Sequence, residues 1–256
     1  MKFPNALIIV LMLLLSPIVL ADDAADSLIE QMDKAMRVPA EIVQAKFVIT
    51  RPNGKVLERR LTLSSMTKGK DTATLLRFTA PADLDGTAFL TWNRNGRAER
   101  WIHIPGVGTR KIGNTDAREP FVGSDLTIED LKFAVDTVNR VYRKVRDESC
   151  DGHPCVVIED TPVDEKVARR SNYSKVLMWL DTDRSVVPRI EFYDKSGVMF
   201  KTMVSSKAEK VGERWRLGHS VITNLVKGSR TEMVVLQRQT PATMDETIFT
   251  VDNLGF

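Results

Sequence analysis

Short alternating segments separated by tight turns run through most of the chain and restrict its fold more than any other feature. Within residues 45–112, polar and apolar residues alternate, and the runs are interrupted at Asn53-Gly54, Asn95-Gly96 and Pro105-Gly106-Val107-Gly108. This pattern is typical of strands joined by hairpins. A second series of such segments occupies residues 138–237. The sequence therefore predicts an antiparallel meander that is mainly β.

Two further stretches follow a helical pattern. Apolar residues recur at helical spacing between Ala24 and Arg37, and Pro39 ends this run. Ser124 or Asp125 is a suitable cap for a short helix that continues to Leu131. About ten strands with one or two helices predict an α+β fold with a single, strongly curved antiparallel sheet. We expect the helices to cover its concave face and to leave room for a cavity.

The N-terminal segment has the form of a secretory signal peptide. Lys2 precedes an apolar run over residues 6–15, Ser16-Pro17 breaks this run, and Ala21 ends a small-residue cleavage motif. A membrane anchor is the weaker alternative, because the run is shorter than the roughly 20 residues that span a bilayer. We expect cleavage after Ala21 and a soluble periplasmic protein in which residues 22–256 form one domain.

The two cysteines lie close together. Cys150 and Cys155 flank Asp-Gly-His-Pro, which is a turn sequence. In an exported protein such a pair predicts a disulfide that staples a hairpin. A redox role is the alternative, but the spacing is not that of a C-x-x-C motif.

No catalytic or metal-binding constellation stands out. Ser124 lacks the second glycine of a G-x-S-x-G motif, and the three histidines are isolated in sequence. Clustered Cys and His ligands do not occur either. We therefore predict a protein that is not an enzyme and has no metal or cofactor. Net charge is +3 and the basic residues form short runs, but export excludes nucleic acid as a partner. These runs are solvated strand faces or contacts for anionic lipid or an acidic partner.

Apolar residues share strand faces in several segments. Leu76 and Phe78 lie on one face of a predicted strand, and Met199 and Met203 lie on one face of another. Eight methionines follow the signal segment, and methionine adapts well to variable apolar partners. Ordinary core packing and an acyl-chain cavity both explain this pattern, and alternation does not separate them.

Several motifs resemble the LolA-like outer-membrane lipoprotein-sorting proteins. The resemblance is carried by APADLDGTAFLTW, WIHIPGVGTRKI and REPFVGSDLTIEDL, and it covers most of the mature chain. The segments KVLMWLDTDRSVVPRIEFYDKSGVMFKT, ERWRLGHSVITNL and ETIFTVDNL also fit. The Gly-Ser-Asp block followed by Glu-Asp-Leu is the most specific part.

This resemblance implies a half-open β-barrel of about ten or eleven strands wrapped around a helical lid, as in LolA, LolB and RseB-type proteins. It implies a carrier that binds lipid or lipoprotein acyl chains and moves them across the periplasm. It also implies a role as an accessory of an inner-membrane RND-type transporter. We expect a monomer. A protein-binding adaptor or envelope stress sensor of RseB type is the second hypothesis.

Two sets of site residues follow from this reading. Candidates for the lining or rim of a lipid cavity are Leu76, Phe78, Phe89, Leu90, Trp92, Trp101, Phe121, Met178, Trp179, Phe192, Met199 and Met203. A movable lid or partner-docking loop is expected to contain Phe121, Gly123, Ser124, Asp125, Glu129, Asp130 and Leu131. Strand alternation means that some neighbouring candidates cannot face the same side. A plain structural plug is the alternative for the second set.

Overall fold

The computed structural model describes residues 22–94, 97–113, 116–131 and 138–255. The predicted signal peptide and the predicted Asn95-Gly96 turn lie outside these ranges. Helix α1 (Asp23–Met36) begins where Asp22 accepts a hydrogen bond from the Ala25 amide, at 3.2 Å. The helix ends at Arg37, two residues before Pro39, as predicted.

Thirteen strands form one antiparallel sheet, two or three more than the resemblance implies. Each predicted alternating segment becomes a strand. The strands are β1 (Ala40–Thr50), β2 (Val56–Lys68), β3 (Asp71–Ala80), β4 (Ala88–Arg94), β5 (Arg97–Ile104), β6 (Gly108–Lys111), β7 (Arg140–Cys150), β8 (His153–Pro162), β9 (Lys175–Asp181), β10 (Val186–Tyr193), β11 (Met199–Val211), β12 (Arg214–Asn224) and β13 (Ser229–Gln239). A short helix, α2 (Glu165–Arg170), connects β8 and β9.

Two meanders meet at the pair β1 and β13, so that the first and last strands are neighbours. The strand order is β6-β5-β4-β3-β2-β1-β13-β12-β11-β10-β9-β8-β7. Register at the junction pairs Phe47 with Met233 and Thr50 with Arg230. Strands β6 and β7 are the two edges, and within the described ranges they do not pair with each other. This curved, unclosed sheet is the half-open β-barrel that the resemblance implies.

Both faces of the sheet are partly covered. On the inner face, Ile29 and Met32 of α1 pack against Ile158 and Leu180 at one side of the barrel. Residues 121–131, here called the lid segment, pack against β1 to β4 on the same face. These two elements confirm the predicted helical cover of the concave face, although the lid segment contains only single 3-10 turns at Phe121–Gly123 and Ile128–Asp130.

The C-terminal segment, residues 244–254, covers the outer face of β2 to β5. Phe249 and Leu254 are fully buried there, next to Leu75 and Leu90. The Arg77 guanidinium holds this segment by donating to the carbonyl oxygens of Asn253 and Leu254. The predicted disulfide between Cys150 and Cys155 is confirmed and joins β7 to β8 beside their turn.

None of the helices in the described ranges combines the length and the apolar character that a membrane crossing requires.

Candidate functional site

Six of the predicted cavity residues share the inner face of the sheet. Strand register aligns Leu76 with Phe89, Met178 with Ile190, and Met203 with both Ile190 and Ile222. These pairs link neighbouring strands from β3 and β4 around to β9 and β11. The six inner-face residues are Leu76, Phe78, Phe89, Met178, Phe192 and Met203. Met199 is not among them, because a bulge in β11 pairs it with Tyr193, which packs on the outer face. Together they form one apolar surface with the side chains of β1 and β2.

Four other predicted residues lie on the outer face. Leu90, Trp92 and Trp101 pack with Phe249, and Trp92 Nε1 donates to the Phe249 carbonyl oxygen at 2.7 Å. Trp179 packs with Cys155 and Val157 beneath the guanidinium of Arg189. Alternation accounts for this placement, because Phe89 and Met178 turn inward and their chain neighbours must turn outward. The structure therefore does not bring these four side chains to the apolar inner surface.

The apolar part of the lid segment fills the middle of the barrel. Phe121 is 1% exposed, and its ring centroid lies 4.5 Å from Phe89, 5.8 Å from Phe78 and 6.3 Å from Phe47. Edge-to-face contacts at these distances are favourable for aromatic rings. Leu126 and Ile128 are also buried in this cluster, and Leu131 packs at its margin.

The backbone of the lid segment folds mainly on itself. The Phe121 amide donates to the Leu126 carbonyl oxygen at 2.7 Å, and Ser124 Oγ donates to the Phe121 carbonyl oxygen at 2.7 Å. Gly123 adopts φ +75°, and a Cβ there would lie 3.0 Å from Arg51 Nη2. Glycine is therefore favoured at this turn on conformational grounds, since the end of the Arg51 side chain could move aside. Arg59 Nε donates to the Val122 carbonyl oxygen at 3.3 Å.

Asp125 attaches the middle of the lid segment to β13. Its carboxylate accepts hydrogen bonds from Ser229 Oγ and, at 2.8 Å, from Thr231 Oγ1. The Asp125 amide donates to Thr231 Oγ1 at 2.9 Å. These contacts use side chains of the sheet rather than its ladder of backbone hydrogen bonds.

A buried ion pair attaches the C-terminal end of the lid segment to β11. Lys201 Nζ lies 2.5 Å from Asp130 Oδ2, and the side chains are 2% and 3% exposed. Tyr173 OH donates to Asp130 Oδ1 at 2.5 Å and accepts from Lys201 Nζ at 2.6 Å. Burial, followed by the charge of Asp130, raises the pKa of Tyr173 far above its ordinary value. The phenol is therefore a neutral donor throughout the physiological range.

Glu129 adds a third attachment, to the chain before β9. Its carboxylate accepts from Ser171 Oγ at 2.5 Å and from the Asn172 amide at 2.7 Å. Our sequence reading missed Lys201 and Tyr173, the partners of Asp130. Lys201 carries a signal that could have found it, because this lysine stands two residues before the inward-facing Met203 on the same strand.

The space beneath the lid segment is closed. Between Leu76, Phe89, Ile128 and Leu131, the void has a volume of about 10 Å³. One water molecule needs roughly 10–15 Å³ by the same measure, so this void holds one water at most. The lid segment thus occupies the room that the sequence reading left for a cavity. Among the described residues, no group of three His, Cys, Asp or Glu side chains is arranged to hold a metal ion.

Comparison with known proteins relates this architecture to a group of solved structures. A DUF1329 family protein from Desulfovibrio piger is 27% identical, with a TM-score of 0.82 over 91% of this chain and 98% of that one. An outer membrane lipoprotein-sorting protein domain from Vibrio parahaemolyticus is 24% identical, with a TM-score of 0.82 over 91% and 99%. A LolA superfamily protein from Nitrosomonas europaea is 22% identical, with a TM-score of 0.69 over 89% and 98%.

The sequence comparisons agree with the structural ones. No curated protein matches the chain. The sequence profile of a family described only as "Uncharacterized protein" matches residues 70–255, which is well over half of the chain. This match shows that the chain belongs to that family, and the solved structures show that its fold is LolA-like.

Proposed function

We propose that the protein is a non-enzymatic periplasmic carrier that binds the acyl chains of a lipid or acylated molecule against the inner face of its sheet. The observation that carries this proposal is the apolar inner surface, which is covered by a segment outside the sheet ladder. A lipid tail in water costs about 0.8 kcal/mol for each exposed methylene, so transfer between membranes requires a soluble apolar site. The names of the solved relatives from Vibrio and Nitrosomonas are in keeping with such a role.

Access to the inner face requires the lid segment to move. Its internal hydrogen bonds, from Phe121 to Leu126 and from Ser124 to Phe121, travel with it. Its polar attachments to the sheet run through side chains, namely those of Asp125, Asp130 and Arg59. Opening therefore leaves the thirteen-stranded ladder intact, which makes a local motion far less costly than unfolding.

The energies of opening and of acyl binding are comparable. Exposing Phe121, Leu126 and Ile128 costs roughly 1.5–3 kcal/mol for each side chain. An acyl chain in their place regains about 0.8 kcal/mol for each buried methylene. A chain with roughly ten buried methylenes regains about 8 kcal/mol, which lies within the roughly 4.5–9 kcal/mol that the three side chains lose. Longer chains favour the open, loaded state.

Two measurements test the carrier. The protein is purified from its native periplasm, and co-purifying lipids are quantified by mass spectrometry. Delipidated protein is then titrated with a fluorescent fatty acid. We expect acyl lipid in a molar ratio near one and saturable binding of the probe. Protein that carries no lipid and does not bind the probe would contradict the proposal.

The closed interior favours a second candidate, the protein-binding adaptor of RseB type. A barrel whose interior is filled by the lid segment can serve as a docking body without any cargo. Crosslinking in intact cells distinguishes the two, because an adaptor yields a defined protein adduct while its purified form contains no lipid. The same experiment tests the RND-type exporter, a partner that only the sequence resemblance supports.

A further inference from the structure

Three neighbouring hairpins lie at one end of the sheet, in its middle. They join β1 to β2, β10 to β11 and β12 to β13, and the strand order places them side by side. Register across their bases runs from Val56 through Thr50 to Arg230 and on to Thr223. The turns of these hairpins, here called the rim, are residues 51–56, 194–198 and 225–230.

The rim exposes large aliphatic side chains to solvent. Val226 is 78% exposed, and Val56, Val198 and Leu225 are 50–58% exposed. Single apolar residues are common on protein surfaces, but a group of them on adjacent turns indicates an interaction site.

Hydrogen bonds hold the central turn in this arrangement. Asn224 Oδ1 accepts from the Lys227 amide at 2.9 Å, and the Asn224 carbonyl oxygen accepts from the Gly228 amide at 2.9 Å. The Leu225 amide donates to the Phe200 carbonyl oxygen at 2.8 Å, which ties the turn to β11. The apolar tip is therefore ordered in advance, so binding through it costs little conformational entropy.

The rim is also basic. It contains five lysine and arginine residues, whereas Asp194 is its one acidic residue. Asp194 caps its own turn, because its carboxylate accepts from the Ser196 and Val198 amides at 2.9 and 3.0 Å. Lys55 and Lys227 are exposed, and neither forms an ion pair with any residue in the described ranges.

Nearby carboxylates offset only part of this charge. Glu232 lies 3.1 Å from Arg230. Glu58 is paired with a lysine and an arginine outside the rim, at 3.2 and 3.0 Å. The hairpin after β3 carries Asp83 and Asp85, and it bounds the basic surface on that side. An excess of positive charge therefore remains around the apolar tips.

We propose that the rim docks on the surface of a bilayer that contains anionic lipid. Its aliphatic tips enter the headgroup region, while Lys55 and Lys227 contact lipid phosphates. The composition of the rim favours a membrane over a protein partner. Protein interfaces are depleted in lysine, and leucine and valine are under-represented among their hot spots.

Docking through the rim brings the lid segment to the lipid. Ser229 and Thr231, which hold the Asp125 carboxylate, lie at the start of β13, directly after the central turn. Arg51 of the rim approaches Gly123 of the lid segment. The docked barrel therefore places the lid attachment next to the bilayer. The docking itself depends on the rim alone and not on the proposed carrier role.

Vesicle flotation tests this proposal. Delipidated full mature protein is mixed with vesicles of phosphatidylglycerol and phosphatidylethanolamine, or with vesicles of phosphatidylcholine alone. We expect the anionic vesicles to carry the protein upwards, and phosphatidylcholine to bind it at least tenfold more weakly. Raising the salt concentration from about 0.01 M to about 1 M should remove most of this difference, because the Debye length falls from about 30 Å to about 3 Å.

Two pairs of substitutions separate the apolar and the basic contributions. Leu225→Ser with Val226→Ser should lower the partition coefficient on anionic vesicles at least about tenfold, because two apolar side chains are lost. Lys55→Gln with Lys227→Gln should lower it roughly fivefold for each lysine and leave binding to phosphatidylcholine unchanged.

Val204→Ser with Leu236→Ser is the matched control. These side chains are 50% and 52% exposed, but they lie in β11 and β13 away from the turns. The control variant should float as the unchanged protein does. All of these substitutions alter exposed side chains, and urea unfolding checks that each variant is folded.

Two results would overturn the proposal. One is protein that does not float with anionic vesicles at low salt concentration. The other is flotation that the rim variants do not weaken, or that the control variant weakens equally. Titration with a fluorescent fatty acid in the absence of vesicles should be the same for the rim variants and the unchanged protein. Failure of docking is therefore distinct from failure of the carrier proposal.

Discussion

Truncation of Phe121 gives the sharpest test of whether residues 121–131 are a lid or a plug. Its ring is 1% exposed and contacts Phe47, Phe78 and Phe89, with centroids 4.5–6.3 Å away. Phe121→Ala removes these contacts only from the closed state. Burial of this kind is worth about 3–5 kcal/mol when a phenylalanine is cut to alanine.

The consequence depends on how the segment moves. If it opens as a unit, the open population rises at least about a hundredfold, because each 1.4 kcal/mol is a factor of ten. Affinity for an acyl chain that binds only the open state then rises by up to the same factor, until the open state predominates. The assay is a titration with a fluorescent fatty acid, combined with urea unfolding of the same protein.

Phe249→Ala is the matched control for this experiment. Phe249 is also 1% exposed, but it belongs to the C-terminal segment and packs on the outer face of the sheet. Both variants should lose a similar free energy of unfolding, and only Phe121→Ala should bind the fatty acid more tightly. Equal destabilisation without any gain in affinity for Phe121→Ala would refute the lid and leave a structural plug.

Three further expectations concern stability, each measured by urea unfolding. Lys201→Met leaves the Asp130 carboxylate buried without its cation, so we expect a loss of about 3–5 kcal/mol; a loss below 1 kcal/mol would show that water already reaches the pair. Burial, followed by a hydrogen bond to a neighbouring carboxylate, raises the pKa of Tyr193 from 10.0 to about 12. The resulting stabilisation is complete below pH 10 and is lost as the pH rises from 10 to 12, and Tyr193→Phe should weaken this dependence and leave the part that belongs to Tyr173. Replacing Cys150 and Cys155 by serine should cost about 2 kcal/mol, since the closed loop is short; dithiothreitol should then affect only the unchanged protein.

Strand positions could be predicted from the sequence, but the direction of several side chains could not. Leu76 and Phe78 are separated by the charged residue Arg77, so the sequence shows that they share one face of their strand. In the pairs Phe89-Leu90 and Met178-Trp179, two apolar residues follow each other directly. Both faces of their strands are covered, so an apolar residue is needed on each face. Alternation then carries no information, and only the register of neighbouring strands decides which side chain turns inward.

Partners distant in sequence were equally out of reach. Asp125 and Asp130 were recognised as parts of a non-strand insertion, but their anchors lie 106 and 71 residues further along the chain. The inner face joins them only because β13 and β11 are brought to the middle of the sheet by the pairing of β1 with β13. The pairing of β1 with β13 cannot be predicted from a single sequence.

The two kinds of attachment in the lid segment have different energetic roles. In the closed state the Lys201–Asp130 pair has already lost most of its hydration, and its mutual attraction does little more than offset that loss. Opening returns both charges to water, so the pair resists opening less than its 2.5 Å distance suggests. Phe121 has no such compensation, because its exposure is a pure loss until another apolar group takes its place. The ion pair therefore sets where the segment docks, while the aromatic cluster sets how strongly it is held. A cargo that supplies apolar surface to Phe47, Phe78 and Phe89 thus replaces the stronger contact and leaves only the weaker one to be broken.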